Sequence, residues 1–347
     1  MQPLIPSLQD AQQAADALRQ GRWPAGVACP RCGSDAVEPR DRCDNGLRRF
    51  PCGPCAARWG PQLALCTAWT RAIFEESTWR PRAWWRGLGW WPWQLTATAL
   101  AAAAAIPERT AQRCSNVRAG GLYETYPLDP TRPLAPQGAA DACSPSAGRQ
   151  GLARAVARGD RAPRPRGMQR RGRAPAATGR PPLLGLGQRR AQAAQDAPAA
   201  QGSLEVLEQG CPATSQPLLG AKAQGGAPCF TAEDNLSHCT KADYAQRTVK
   251  HGAGASARRA LDGPGVPCHP LAGLWSGLRQ FLAPFQGISQ RFLPLRVGRD
   301  EFLHNQTHLH WDQTFETALR YMCSTPGAYG RQMTHQHRRM PLTLCYR

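Results

Sequence analysis

Helical periodicity is strongest toward the two ends of the chain and fades between them. In PLAGLWSGLRQFLAPFQGISQRFLPL, Leu271, Leu274, Trp275, Leu278, Phe281, Leu282 and Phe285 recur at i, i+3, i+4 and i+7. That spacing predicts an amphipathic helix packed on a core. Nearer the start, Trp84, Leu88 and Trp91 fall at helical spacing with Trp85 beside them. Core packing in a small helical domain is the first reading of these rings, and base stacking the second. The opening MQPLIPSLQDAQQAADALRQ reads as a polar amphipathic helix, a lead-in over residues 1–25.

Residues 94–105 form an alanine-rich stretch of high helix propensity, and Pro107 suits the first position of a second helix, with Ile106 as the buried residue of the turn. On that second helix Ala111, Cys114 and Val117 share one face, and Arg109, Gln112, Arg113 and Arg118 the other. A short arginine-studded helix after a tight turn is the arrangement of a helix-turn-helix recognition element, here within residues 75–120. Residues 87–107 carry no charge and are long enough to span a bilayer. Pro92, Gln94, Thr96, Thr98 and the alanines make them a weak span, so no membrane partner is expected.

Between Tyr126 and Phe230 no aromatic residue occurs, and the composition is Ala-, Pro-, Gly- and Arg-rich. Such a segment buries little apolar surface. Residues 181–187 (PPLLGLG) and 202–208 (GSLEVLE) are the two candidate strands, and a sheet here is poorly encoded.

Charge narrows the partners. The formal net charge is +19 and the positive side is almost all arginine, with only Lys222, Lys241 and Lys250 as lysines. The planar guanidinium fork suits phosphate oxygens, and a sequence pI near 10.0 favours a polyanion, nucleic acid first. A composition inherited from a GC-rich genome is the alternative. Fourteen cysteines would suit a secreted disulfide protein, but the start lacks a basic region followed by an apolar core. A reducing cytosol with some thiols on metal fits better.

The cysteines supply the sharpest signal. Cys29 and Cys32, then Cys52 and Cys55, form two Cys-x-x-Cys pairs with zinc-ribbon spacing. Each pair aims two thiolates at one point, and two pairs close a tetrahedron that leaves no position for substrate, so the site is structural. Gly33 and Gly53 stand where tight turns are needed, and Cys43 lies between the pairs as a bystander. Redox pairs or unligated thiols are the alternative. His304, His308 and His310 read as a solvated helix end rather than a second metal site.

Taken with the Trp-bearing helices, RWPAGVACPRCGS, RRFPCGPC, ARW and IPERTAQR resemble the front end of zinc-ribbon insertion-sequence transposases of the DDE class, the family numbered fifteen ninety-five. TVKHGAGASARR, GLWSGLRQFLAPFQGISQRFLPL and EFLHN are similar to the end of that family's transposase domain. The likeness covers about residues 7–120 and 229–305, with only landmarks between, at 140–151 and 166–187. It implies an RNase H-like fold, a mixed sheet flanked by helices, that binds Mg²⁺ through three carboxylates. Two ions about 4 Å apart would clamp the attacking and leaving oxygens of a phosphodiester. The implied function is metal-dependent DNA cleavage and strand transfer at terminal inverted repeats.

Carried over position by position, the first carboxylate falls on Asp141. The second falls on Ala232, in FTAED at the end of a strand, and the third on Ala272, in HPLAG. Alanine offers no oxygen ligand. Asp234 shares the side of Ala232 on an extended strand but is displaced by about 7 Å, too far to substitute at Mg²⁺–oxygen distances of about 2.0–2.1 Å.

The expected fold class is therefore multidomain α+β. A helical lead-in (1–25) precedes a zinc ribbon (26–62) and a helix-turn-helix (75–120). A low-complexity, degraded first half of an RNase H-like domain (127–228), its second half (229–312) and a tail (313–347) follow. The expected protein is a transposase relative of the bacterial nucleoid, with DNA and a homodimer partner, whose catalysis is lost. The rival is a stand-alone zinc-ribbon and helix-turn-helix DNA-binding module, or a decayed reading frame that does not fold past residue 126.

Overall fold

A computed structural model describes residues 11–125 except 63, 76, 78 and 90–95. Beyond these it describes 138–143, 147–148, 183–189, 200–206, 228–232, 245–249, 257–258, 266–267, 269–285, 288–289 and 292–324. The chain divides into two compact units, Met1–Tyr126 with Leu309–Arg338, and Pro127–His308 with Arg339–Arg347. No helix among the described residues is long and apolar enough to cross a membrane.

In the first unit, strand β1 (Phe50–Pro51) pairs antiparallel with β2 (Leu65–Cys66), Phe50 opposite Cys66 and Pro51 opposite Leu65. Helix α2 (Gly53–Trp59) sits between them. Pro54 is tolerated in its first turn, where backbone N–H groups have no intrahelical acceptor. Gly60, at φ 86, takes a backbone setting that favours glycine and ends the helix. Trp23 meets Phe50 edge-on at 6.0 Å, and with Val27 and Val37 it packs on a core made largely of Cys29, Cys52, Cys55 and Cys66. So small a core does not hold a fold by apolar burial alone.

The unit also contains helices α1 (Ala11–Arg22), α3 (Pro81–Gly89), α4 (Ala97–Ala104) and α5 (Glu108–Thr125), with α3 packed on α1 and α4, and α4 on α5. Of the tryptophan block, Trp84 and Trp85 are buried, as a core role requires; Trp69, ahead of the block, is buried too, and Phe74 packs edge-on against Trp84 at 5.0 Å. Trp84 Nε1–H donates to Ser77 Oγ at 2.7 Å, which satisfies the indole inside the core. Leu88 contributes its backbone to α3, while Trp91 lies outside the described residues. Thr96 caps α4 by accepting from Ala99 N–H, and Ala105, left-handed at φ 54, closes it as Ile106 N–H returns to Ala101 O at 3.0 Å. Only Ala105, Ile106 and Pro107 separate α4 from α5, and Thr98 Oγ1 donates to Glu108 Oε1 across the turn at 2.7 Å. Ile106 is half-buried rather than buried.

The last helix of this unit comes from the far end of the chain. Helix α8 (Trp311–Ser324), where the sequence predicts a tail, packs on α1, α3 and α5. Phe315 meets Trp85 edge-on at 5.2 Å, and Ala318, Leu319, Met322 and Cys323 are buried. Gly21 permits the close approach of α1, because a Cβ there would lie 2.6 Å from Leu319 Cδ2.

The second unit is built on a mixed five-stranded sheet. Its strands are β3 (Gly138–Cys143), β4 (Leu183–Arg189), β5 (Ala200–Val206), β6 (Pro228–Ala232) and β7 (Ala245–Val249), in the order β5-β4-β3-β6-β7. β3 to β4 and β4 to β5 are antiparallel; β3 to β6 and β6 to β7 are parallel. Both candidate strands exist, each shifted two residues from its predicted bounds. Helix α6 (His269–Leu282) lies on β3, β4 and β5, followed by a 3-10 turn, Ala283–Phe285.

The sheet does have a core, contrary to the expectation from its missing aromatics. The bulk comes from α6, whose Leu271, Leu274, Trp275, Leu278 and Phe281 are all buried on Leu183 and Leu204. The sheet's glycines are the matching hollows. A Cβ on Gly185 would stand 2.5 Å from Trp275 Cζ2, and one on Gly202 would stand 2.9 Å from Leu274 Cδ2.

Helix α7 (Leu293–Asn305) seals the edge strand β5. Gly202 N–H donates to Asn305 Oδ1 at 2.8 Å, and Asn305 Nδ2 donates to Gly202 O at 2.9 Å. Leu204 N–H donates to Glu301 Oε2 at 2.8 Å. These side chains take the backbone groups that an unpaired edge would offer to another chain.

Candidate metal centre and the Asp141 site

The two Cys-x-x-Cys turns are built differently. In the first, Gly33 N–H donates to Cys29 O at 2.8 Å, and Gly33 sits at φ 77, so glycine is needed there. In the second, Cys52 precedes α2 and Cys55 lies in its first turn. Gly53 is simply the first helical residue and has no left-handed setting, so the turn after Cys52 is helical and makes no demand for glycine.

The ligand atoms of Cys29, Cys32, Cys52 and Cys55 all lie within 4.8 Å of one another. Cys29 Sγ is 3.6 Å from Cys55 Sγ, and Cys32 Sγ is 3.5 Å from Cys52 Sγ. A tetrahedron with Zn–S near 2.3 Å has sulfur–sulfur edges of about 3.8 Å, so the cluster has the dimensions of a four-thiolate zinc site. Cys32 is exposed and the other three are buried. Cys43 is outside the group, in the turn where its N–H donates to Leu47 O at 2.8 Å. Cys66 went unnoticed in the sequence because it has no Cys-x-x-Cys partner. It is buried in the same core, donates to Phe50 O at 3.3 Å, and burial pushes its thiol up to about 12.

Without metal, burial disfavours thiolate at two of the four positions. Burial raises Cys52 and Cys55 above the ordinary thiol range. Burial acts the same way on Cys29, but backbone N–H groups of Arg31 and Cys32 and the neighbouring thiols outweigh it, leaving Cys29 at about 7. A dication stabilises all four as thiolates and displaces the protons of those still protonated.

The residues expected to face a polyanion divide. Arg109, Gln112 and Arg113 are exposed on the opening turns of α5, with Gln112 Nε2 donating to Asn116 Oδ1 at 3.1 Å. Arg118 is not on that surface. It is 4 % exposed, its guanidinium donates to Gly87 O in the last turn of α3, and its Nε donates to Cys114 O at 3.3 Å. Ala111, Cys114 and Val117 are buried as expected, but residues 116–122 are buried on all sides of the helix. The exposed basic face is therefore limited to the helix's start.

Asp141 lies on the central strand β3, opposite Gly185. Trp275 Nε1–H donates to its Oδ2 at 3.0 Å, and the ring fits the space that Gly185 leaves. The β3–β6 register pairs Ala140 with Thr231, so Ala232, the last residue of β6, is next in line beside Asp141. Ala272 is in the first turn of α6, three residues before Trp275. Asp234 lies outside the described residues. Among the described residues the four cysteines are the one group of three or more such side chains able to hold an ion, so neither Asp141 nor the histidines form a second. His304 is partly buried, which lowers its pKa, while His310 lies 3.4 Å from Asp312.

Comparisons with curated proteins and with solved structures find no match. A family model described as a transposase zinc-ribbon domain matches residues 9–58, the segment that contains all four clustered cysteines.

Proposed function

We propose that this chain is a DNA-binding relative of insertion-sequence transposases that has lost the metal-dependent cleavage and strand transfer of its family. The observation that carries the reading is the coincidence of the matched transposase zinc-ribbon segment with a complete four-thiol cluster. Zinc, held by Cys29, Cys32, Cys52 and Cys55, shapes a docking head. The short α4–α5 turn and the exposed Arg109, Gln112 and Arg113 support a helix-turn-helix that offers the start of α5 to a groove, which is where recognition helices meet base edges. Arg118 is excluded from that role by its burial.

The second unit is read as an RNase H-like domain, supported by its mixed sheet with α6 packed on it and by Asp141 on the central strand. The residues at the three positions that the family resemblance assigns do not fit Mg²⁺. One is a carboxylate and two are alanines, and Asp141 Oδ2 already accepts the Trp275 indole. A hard cation that needs oxygen donors finds one side chain.

The test is duplex DNA binding across a salt series. Removing an arginine that touches only phosphate lowers the salt slope by roughly one and weakens all sequences about equally. Arg109→Ala and Arg113→Ala are expected to do so. An unchanged slope in both would remove α5 from the interface, and absence of binding by the parent protein would remove the reading.

A further inference from the structure

One feature of the ribbon is unused by either the metal or the start of α5. Among the described residues Trp59 is the one large apolar side chain left exposed, at 42 %. It is the last residue of α2, the helix whose first turn carries Cys55, so the metal cluster fixes its place. Arg58 Cζ stands 5.1 Å from the centre of its ring. Around the pair Pro54, Ala57, Pro61 and Gln62 are exposed. Residues 45–74 contain four arginines and no acidic residue, and of the four Arg49 is paired with Asp41.

A lone ring beside a cation differs from the contiguous apolar patch with which proteins usually meet one another. It matches what an unpaired nucleotide offers, a π-face for the ring and a phosphate for the guanidinium. Bases inside a duplex are already stacked and present no face. We propose that Trp59 and Arg58 form a stacking platform for an unpaired base of single-stranded DNA. The base lies on the exposed side of the indole, and Arg58 takes the adjoining phosphate. This rests on the DNA-binding reading above and adds a second contact that tells single strands from duplexes.

The experiment uses the full zinc-loaded chain, a fluorescent twelve-nucleotide oligothymidine, and a duplex of equal length, read by anisotropy. Trp59→Ala is expected to weaken oligothymidine binding roughly five- to a hundredfold and leave duplex binding within about twofold. Trp59→Phe should restore most of the loss, and Arg58→Ala should lower the single-strand salt slope by about 0.7. Zinc content equal to the parent's verifies that each variant retains the ribbon. Equal oligothymidine affinities for parent and Trp59→Ala would overturn the platform, as would an equal loss on both substrates. A parent that binds duplex but not oligothymidine overturns the platform alone; one that binds neither overturns the DNA-binding reading as well.

Discussion

Replacing Gly185 by alanine tests whether the sheet's hollows are filled from α6. The added Cβ would lie 2.5 Å from Trp275 Cζ2, 2.8 Å from Cη2 and 3.4 Å from Leu271 Cδ2. Carbon atoms settle at about 3.5–4.0 Å, so the ring must retreat by roughly 1 Å. It has little freedom, being 4 % exposed and tied through Nε1 to Asp141 Oδ2 at 3.0 Å. Overpacking of this kind costs about 1–3 kcal/mol, and stretching a hydrogen bond to a charged acceptor adds up to about 1.5–3 kcal/mol. Restricting the unfolded chain by a Gly→Ala change returns only about 0.4–1 kcal/mol. The expected net loss is about 2–4 kcal/mol. Hydrogen exchange in peptides covering residues 183–189 isolates the second unit from the first and should lose protection by that amount. In a Trp275→Phe background the two clashing ring atoms are absent, and Gly185→Ala should cost at least about 1 kcal/mol less. A Gly185→Ala protein as stable as its parent, or strict additivity with Trp275→Phe, would refute the packing argument.

Asn305→Ala should destabilise the second unit by about 2–5 kcal/mol, since both backbone groups of Gly202 lose their partner inside the protein, and exchange at the Gly202 amide should accelerate most. Zinc uptake should release protons at neutral pH, because burial holds Cys52 and Cys55 protonated without metal. Cys29, lowered to about 7, joins them below that pH, so zinc affinity measured by competition should fall more steeply there as acid is added. Ending the chain at residue 308 removes the buried Phe315, Leu319 and Met322, worth about 1.5–3 kcal/mol each. That total rivals a domain's whole stability. Circular dichroism of the truncated protein should show loss of the cooperative helical transition of the first unit.

The parts legible in the sequence are those whose signal is local. The cysteine pairs announce themselves because each turn is closed within a few residues, and α6 because its apolar stripe repeats over fourteen residues. The strands were half visible: LLGLG reads as apolar, but GAADAC on β3 has side chains too small to carry an alternation. The hollows at Gly185 and Gly202 are filled by Trp275 and Leu274, far along the chain, which no window of sequence reveals. The place of Arg118 is likewise set by a contact distant in sequence. A helical wheel sets it with Arg109 and Arg113, but its guanidinium reaches the Gly87 carbonyl. The docking of α8 on α1 depends on Gly21 facing Leu319, a fit between the two ends of the chain.

On the proposed reading Asp141 is a lone carboxylate that no longer cuts DNA. The direct measurement incubates the purified, zinc-loaded chain with a supercoiled donor plasmid bearing the element's terminal repeats, in Mg²⁺ and separately in Mn²⁺, and scores nicks on a gel. The expected result is retention of the DNA in a binding assay with no nicking above the metal-free control. Metal-dependent nicking that vanishes in Asp141→Ala would contradict it.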